Sequence, residues 1–108
     1  MIPQIQPAEL KQKLDAGEPV LLLDVRNEDE YAYCRLAGSV LIPLGELMGR
    51  VEEVDVPDGA LVVVYCHHGV RSLSGAAILA RAGIDNAVSL SGGIDAWSLQ
   101  IDPGVPRY

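Results

Sequence analysis

The stretch ALVVVYCHHGVRSLSGAAILARAG, residues 60–83, decides the fold. Its first seven residues are β-branched or apolar, follow the turn-forming Pro57-Asp58-Gly59, and stop at Cys66, so they predict a buried strand. After four intervening residues Arg71 opens a helical pattern, with Leu73, Ala76, Ala77 and Ala80 at core-facing spacing and Gly83 as its stop. A fully apolar strand feeding directly into a helix is the unit of a parallel sheet covered by helices.

The same alternation extends outward in both directions. Residues 7–17, PAELKQKLDAG, predict a helix: Pro7 suits its first position, Glu9 its positive end and Gly17 its stop, with Leu10 and Leu14 facing the core. PVLLLDVR (19–26) is a second buried strand, NEDEYAYC (27–34) a short helix capped by Asn27, GSVLIP (38–43) a third strand and LGELMGRVEEV (44–54) a further helix. NAVSL (86–90) and GGIDAWSLQ (92–100) complete the series as strand and helix. The expected fold is α/β, a central parallel sheet flanked by helices on both faces, in one domain over residues 1–108. Sheets of this kind place their sites beyond the carboxyl ends of their strands, where Cys66 stands.

Composition narrows the function. Hydrophobic residues make up 49% of the chain without a single Phe, which suits a Val/Leu/Ile/Ala core and excludes a disordered chain. A net charge of −7 argues against nucleic acid and anionic lipid as partners. No apolar run approaches the roughly eighteen residues of a membrane span, and MIPQIQPAELKQ does not resemble a secretory signal. Two cysteines without an export signal point to a reducing cytosol and to a working thiol rather than a disulfide. Nothing fixes an oligomeric state, and a monomer is the expectation.

The loop CHHGVR (66–71) carries the chemistry. Unpaired amides at a helix start, aided by the helix dipole, favour a sulfur held over them as thiolate. Gly69 lets the backbone close around the sulfur, and Arg71 offers a planar cation to an oxyanion. A free cysteine ending a strand is by default only a small buried hydrophobe; the glycine, the arginine and the strand-end position favour a nucleophile instead. His67 and His68 are adjacent and belong to no larger Cys/His cluster, so they predict pocket lining and no metal site. Val70 completes the loop, and Ser72 is expected to cap the helix, with a hydrogen bond to the sulfur as the alternative. Asp24 and Arg26 should emerge on the same rim as supporting residues, Arg26 pairing with Glu30. Trp97 and Cys34 are expected to pack, a resolving-thiol role for Cys34 being the alternative.

Three segments in order, LLLDVRNEDEYAYCRLAGSVLIP (21–43), the Cys66 loop and LSGGIDAW (90–97), resemble those of rhodanese-like sulfurtransferases. The resemblance implies about five parallel strands and a two-step transfer. Cys66 would take the outer sulfur of thiosulfate or a similar small anionic donor as a persulfide, then pass it to cyanide in assays or to a thiol or protein in the cell. The resemblance calls for no cofactor. One departure concerns residues 34–39, Cys-Arg-Leu-Ala-Gly-Ser, where the family commonly has Gly-His-Ile-Pro-Gly-Ala, so no role passes from that histidine to Arg35. Phosphatases and arsenate reductases of related fold resemble Cys-x5-Arg, one residue longer than the spacing from Cys66 to Arg71, which favours sulfur. The alternatives are a persulfide relay, or a protein-binding module with little turnover on free substrates.

Overall fold

The computed structural model describes residues 2–108. Five strands form one parallel sheet: β1 (Gln4–Ile5), β2 (Val20–Asp24), β3 (Val40–Leu41), β4 (Leu61–Tyr65) and β5 (Ala87–Leu90), in the spatial order β1-β5-β4-β2-β3. Five helices connect and cover them: α1 (Pro7–Asp15), α2 (Glu28–Tyr33), α3 (Leu44–Leu47), α4 (Arg71–Arg81) and α5 (Gly93–Gln100). Among the described residues, no helix is long and apolar enough to cross a membrane.

Strand alternation splits the core in two. Val63 and Tyr65 of β4 join Leu22, Leu10 of α1, and Ile94 and Trp97 of α5 on one face. Val62, Val64 and Cys66 join Leu23, Leu47 of α3, and Ala76 and Leu79 of α4 on the other. The expected two-sided cover is present. Trp97 packs as expected, and Cys34 is buried on the face opposite Cys66.

The chain turns outward to β3 after β2 and the other way, to β5, after β4. The adjacent carboxyl ends of β2 and β4 are therefore the point where the winding reverses, and there such sheets open a crevice.

Several sequence expectations are corrected. The strand Gln4–Ile5 was not expected: two residues, one exposed, leave no periodicity to read, and its existence rests on pairing with Ser89 and Leu90. Leu14 is 36% exposed and does not face the core, since α1 turns only Pro7 and Leu10 fully inward. The buried stripe of α4 is Ser72, Gly75, Ala76 and Leu79, while Ala80 is exposed and Leu73 and Ala77 are half-buried. Gly75 sets that rotation, because a Cβ there would stand 3.0 Å from Val64 and 3.3 Å from Val25. The helix expected over 44–54 ends at Leu47 and continues as a 3₁₀ segment, Met48–Glu53, kinked at Arg50. Gly49 weakens the helix there, and Arg50 instead bonds both Glu46 and Glu53, at 2.8 and 2.9 Å.

Candidate active site

Cys66 follows β4 directly and is only 1% exposed. The amide of Gly69 donates to its Sγ at 3.1 Å and that of Ser72 at 3.3 Å. Ser72 Oγ lies 3.4 Å from the sulfur and 2.7 Å from Ser89 Oγ, a polar residue inside the otherwise apolar β5. Ser72 thus faces the sulfur rather than capping α4, whose cap position is Val70. The two serines form a short hydroxyl chain leading to the thiol.

The shape of the loop is set from α5. Ile94 N–H donates to Cys66 C=O at 2.9 Å and Asp95 N–H to His67 C=O at 3.1 Å. The first-turn amides of α5 thus hold the loop carbonyls, leaving amides of the same loop to face the sulfur. This contact demands glycine at 93: at φ +62°, a Cβ there would lie 2.4 Å from His67 O and 2.5 Å from Cys66 O. Gly69, at φ +95°, has the matching need, since its Cβ would press on Gly92 N at 3.0 Å.

The charged residues are arranged differently from the sequence expectation. Arg26 does not pair with Glu30. Both Arg26 and Asp24 are fully buried: Nη2 meets Asp24 Oδ2 at 2.6 Å and donates to Cys34 C=O at 2.6 Å, while Nη1 donates to Tyr108 Oη at 2.9 Å. Burial opposes the Arg26 charge, but the hydrogen bonds to Asp24 and Tyr108 outweigh it and hold the guanidinium protonated. The reason is local: Asp24 also accepts Arg26 N–H at 2.9 Å, so the short turn after β2 curls onto its own carboxylate.

Glu30 instead binds Arg71. Arg71 Nη1 and Nη2 donate to Glu30 Oε1 and Oε2 at 2.7 and 2.9 Å, bridging α2 and α4 across the β2/β4 crevice. The same carboxylate accepts Asn27 N–H at 3.0 Å and Tyr108 Oη–H at 2.6 Å. Arg71 above all, aided by Tyr108 and Asn27, draws the Glu30 pKa down to about 2.

His67 stacks on Tyr108 with ring centroids 3.8 Å apart and on His68 at the same separation. Burial, followed by the neighbouring His68, lowers its pKa and keeps it neutral near pH 7. Its Nε2 is buried without a hydrogen-bond partner among the described residues. The His68 side chain is mostly exposed, with Nδ1 3.9 Å from Asp95, and Val70 stands out at the loop tip, 73% exposed.

The structure therefore gathers Cys66, Gly69 and Ser72 around the sulfur, with His67 beside them, turns Arg71 onto Glu30, and buries Asp24 and Arg26. Sequence reasoning missed Ser89, Gly93 and Tyr108. A serine inside a buried strand was a readable signal for the first, whereas Tyr108 carries no local pattern.

A parallel α/β sheet with a thiol on an amide-lined loop, at the point where the winding reverses, defines a class of cysteine-centred group-transfer domains. The chain belongs to the rhodanese-like domain family, whose model matches residues 6–100. It is 34% identical over 98 residues to a sulfurtransferase of Allochromatium vinosum, covering 91% of this chain and 90% of that protein. It is 36% identical over 104 residues to the probable adenylyltransferase/sulfurtransferase MoeZ of Mycobacterium tuberculosis, covering 96% of this chain but only 26% of that protein. A rhodanese-related protein from Thermoplasma volcanium superposes with a TM-score of 0.78 at 31% identity, over 96% of this chain and 95% of that one.

Proposed function

We propose that the protein is a sulfurtransferase that carries sulfane sulfur as a persulfide on Cys66. The observation that carries this reading is the convergence of Gly69 N–H and Ser72 N–H on Sγ, at 3.1 and 3.3 Å, with the thiol itself donating to Ser72 Oγ at 3.4 Å. Donors already in place stabilise an anionic sulfur without reorganising, the logic of an oxyanion hole.

In the first step the Cys66 thiolate attacks the outer sulfur of a donor such as thiosulfate. A new S–S bond forms, the donor S–S bond breaks, and sulfite leaves with the electron pair. The second step reverses the roles: a thiolate, cyanide or protein acceptor attacks the terminal sulfur and regenerates Cys66. Covalent storage between two half-reactions gives ping-pong kinetics. The domain makes up about a quarter of MoeZ, which supports a protein as acceptor and a relay role beside turnover on free substrates. Two free thiols suit a cytosolic setting.

Intact-mass analysis after donor treatment tests the proposal. Gain of one sulfur atom, removed by cyanide and absent from Cys66→Ala, is the expected result. An unmodified wild-type protein, or modification that survives Cys66→Ala, overturns it.

A further inference from the structure

A dianion approaching Cys66 finds the guanidinium at the end of its loop already paired. Arg71 is bound at both terminal nitrogens by Glu30, at 2.7 and 2.9 Å. Four donors hold that carboxylate, and the Arg71 hydrogen bonds above all draw its pKa down to about 2, so it is ionised near pH 7. The other two guanidiniums around the site are also matched, Arg26 by Asp24 and Arg107 by Asp95 at 2.9 Å. His67 adds no charge near pH 7, because burial and its neighbour His68 lower its pKa.

We propose that Glu30, acting through Arg71, selects the donor: Cys66 takes sulfur from persulfides, R–S–SH, in preference to thiosulfate. This rests on the sulfurtransferase reading above. Thiosulfate must either displace Glu30 from two charge-assisted bonds or bring its sulfonate up to an ionised carboxylate. Loss of one such bond costs about tenfold to over a hundredfold. A persulfide needs neither. The Cys66 thiolate attacks its outer sulfur, the donor S–S bond breaks, and R–S⁻ leaves to take up the proton released by the new persulfide. No oxidant or reductant enters. Glu30 is thus a positioning residue that withholds a cation.

The test measures the rate of Cys66 loading by rapid quench and intact mass, with three donors: thiosulfate, cysteine persulfide and a short uncharged peptide carrying a cysteine persulfide. Glu30→Gln keeps the side-chain length and an acceptor for Asn27 N–H while freeing the charge of Arg71. The thiosulfate-to-persulfide rate ratio should rise about tenfold or more in Glu30→Gln and fall back in Glu30→Gln/Arg71→Met. A purely structural role of Glu30 would slow all donors alike and leave the ratio fixed, which overturns the proposal. The unmodified protein gives a second readout that needs no variant. Thiosulfate should slow loading from cysteine persulfide no more than sodium chloride of equal ionic strength, and specific competition overturns the inference. Faster loading from the peptide than from cysteine persulfide assigns the source to a protein, and the reverse to a small thiol. Loading from no donor overturns the sulfurtransferase reading together with this one, whereas equal competence with thiosulfate overturns this one alone.

Discussion

Glu30 and Arg71 stand at the starts of two helices that follow adjacent strands, and their side chains meet at 2.7 and 2.9 Å across the gap between them. The pair ties α2 to the loop that carries Cys66. Its carboxylate is mostly covered, with 15% of the side chain exposed, so solvent screens it less than a surface pair.

The pairing makes stability pH-dependent with a definite sign. The Glu30 pKa lies below its ordinary 4.5, at about 2 in the folded protein, chiefly because of the Arg71 hydrogen bonds. The stabilisation is therefore complete above about pH 5 and is lost as pH falls through about 2, an effect of up to about 3 kcal/mol. Urea unfolding at stepped pH checks this. The acid limb should be shallower for Glu30→Gln than for the unmodified protein.

Removing one partner of the buried Arg26–Asp24 pair should cost far more than removing a surface charge. Both side chains are fully buried, and Arg26→Met would strand the buried Asp24 carboxyl group without its main partner. The expected loss is about 3 to 5 kcal/mol, and Asp24→Asn in the Arg26→Met background should restore part of it. Denaturant midpoints for the single and double variants measure both quantities.

Gly93→Ala should damage the site from outside it. The new Cβ would collide with the carbonyl oxygens of Cys66 and His67, at a φ of +62° that L-residues rarely adopt. The left-handed backbone alone costs roughly 1 to 2 kcal/mol. A lower melting temperature with slower Cys66 loading is expected, and Leu99→Ala, a change at an exposed position of the same helix, should not slow loading.

The parts of this molecule legible in the sequence are those governed by local pattern. Val62 to Val64 could only be a buried strand, and Cys66, Gly69 and Arg71 are so spaced that thiol, turn and helix start follow one another. What stayed hidden depends on partners distant along the chain. Gln4–Ile5 is a strand only because β5 lies beside it, and Arg71 could not be assigned to Glu30 when Arg26 lay four residues from that carboxylate. Tyr108 reaches Arg26, Glu30 and His67 from the far end of the sequence. The amphipathic phase of α4 misled for another reason: Gly75 and Ser72, neither of them apolar side chains, occupy the buried stripe because close packing and the sulfur require them there.

Cys34→Ala should leave sulfur loading intact. Cys34 packs with Leu10, Leu36 and Trp97 on one face of the sheet, while Cys66 belongs to the cluster on the other. A disulfide between them would need the sheet to open, since bridged Cα atoms lie within about 7 Å and their Cβ vectors must converge. A stability loss of about 1 kcal/mol, with unchanged loading and unloading of Cys66, is expected. Failure of unloading in a folded variant would assign Cys34 a role as a resolving thiol.

Loop length separates sulfur from phosphoryl chemistry. Four residues lie between Cys66 and Arg71, and the Gly69 amide within that span and the Ser72 amide just beyond it both point at a single atom, at 3.1 and 3.3 Å. That suits a sulfur that bears its charge at one end. A transferring phosphoryl group spreads charge over three equatorial oxygens, each needing its own donors, and a cradle closed on one atom leaves those oxygens without them. The missing donors each commonly cost about a hundredfold or more in rate. Hydrolysis of p-nitrophenyl phosphate should therefore be negligible under conditions where Cys66 loads readily from a sulfur donor. Inserting one glycine between Gly69 and Val70 moves the Ser72 amide off the sulfur, and loading should fall about a hundredfold while the sheet is retained. Side-by-side assays of both substrates on the unmodified and lengthened proteins decide the matter, and faster phosphate-ester hydrolysis than sulfur loading by the unmodified protein would reverse the assignment.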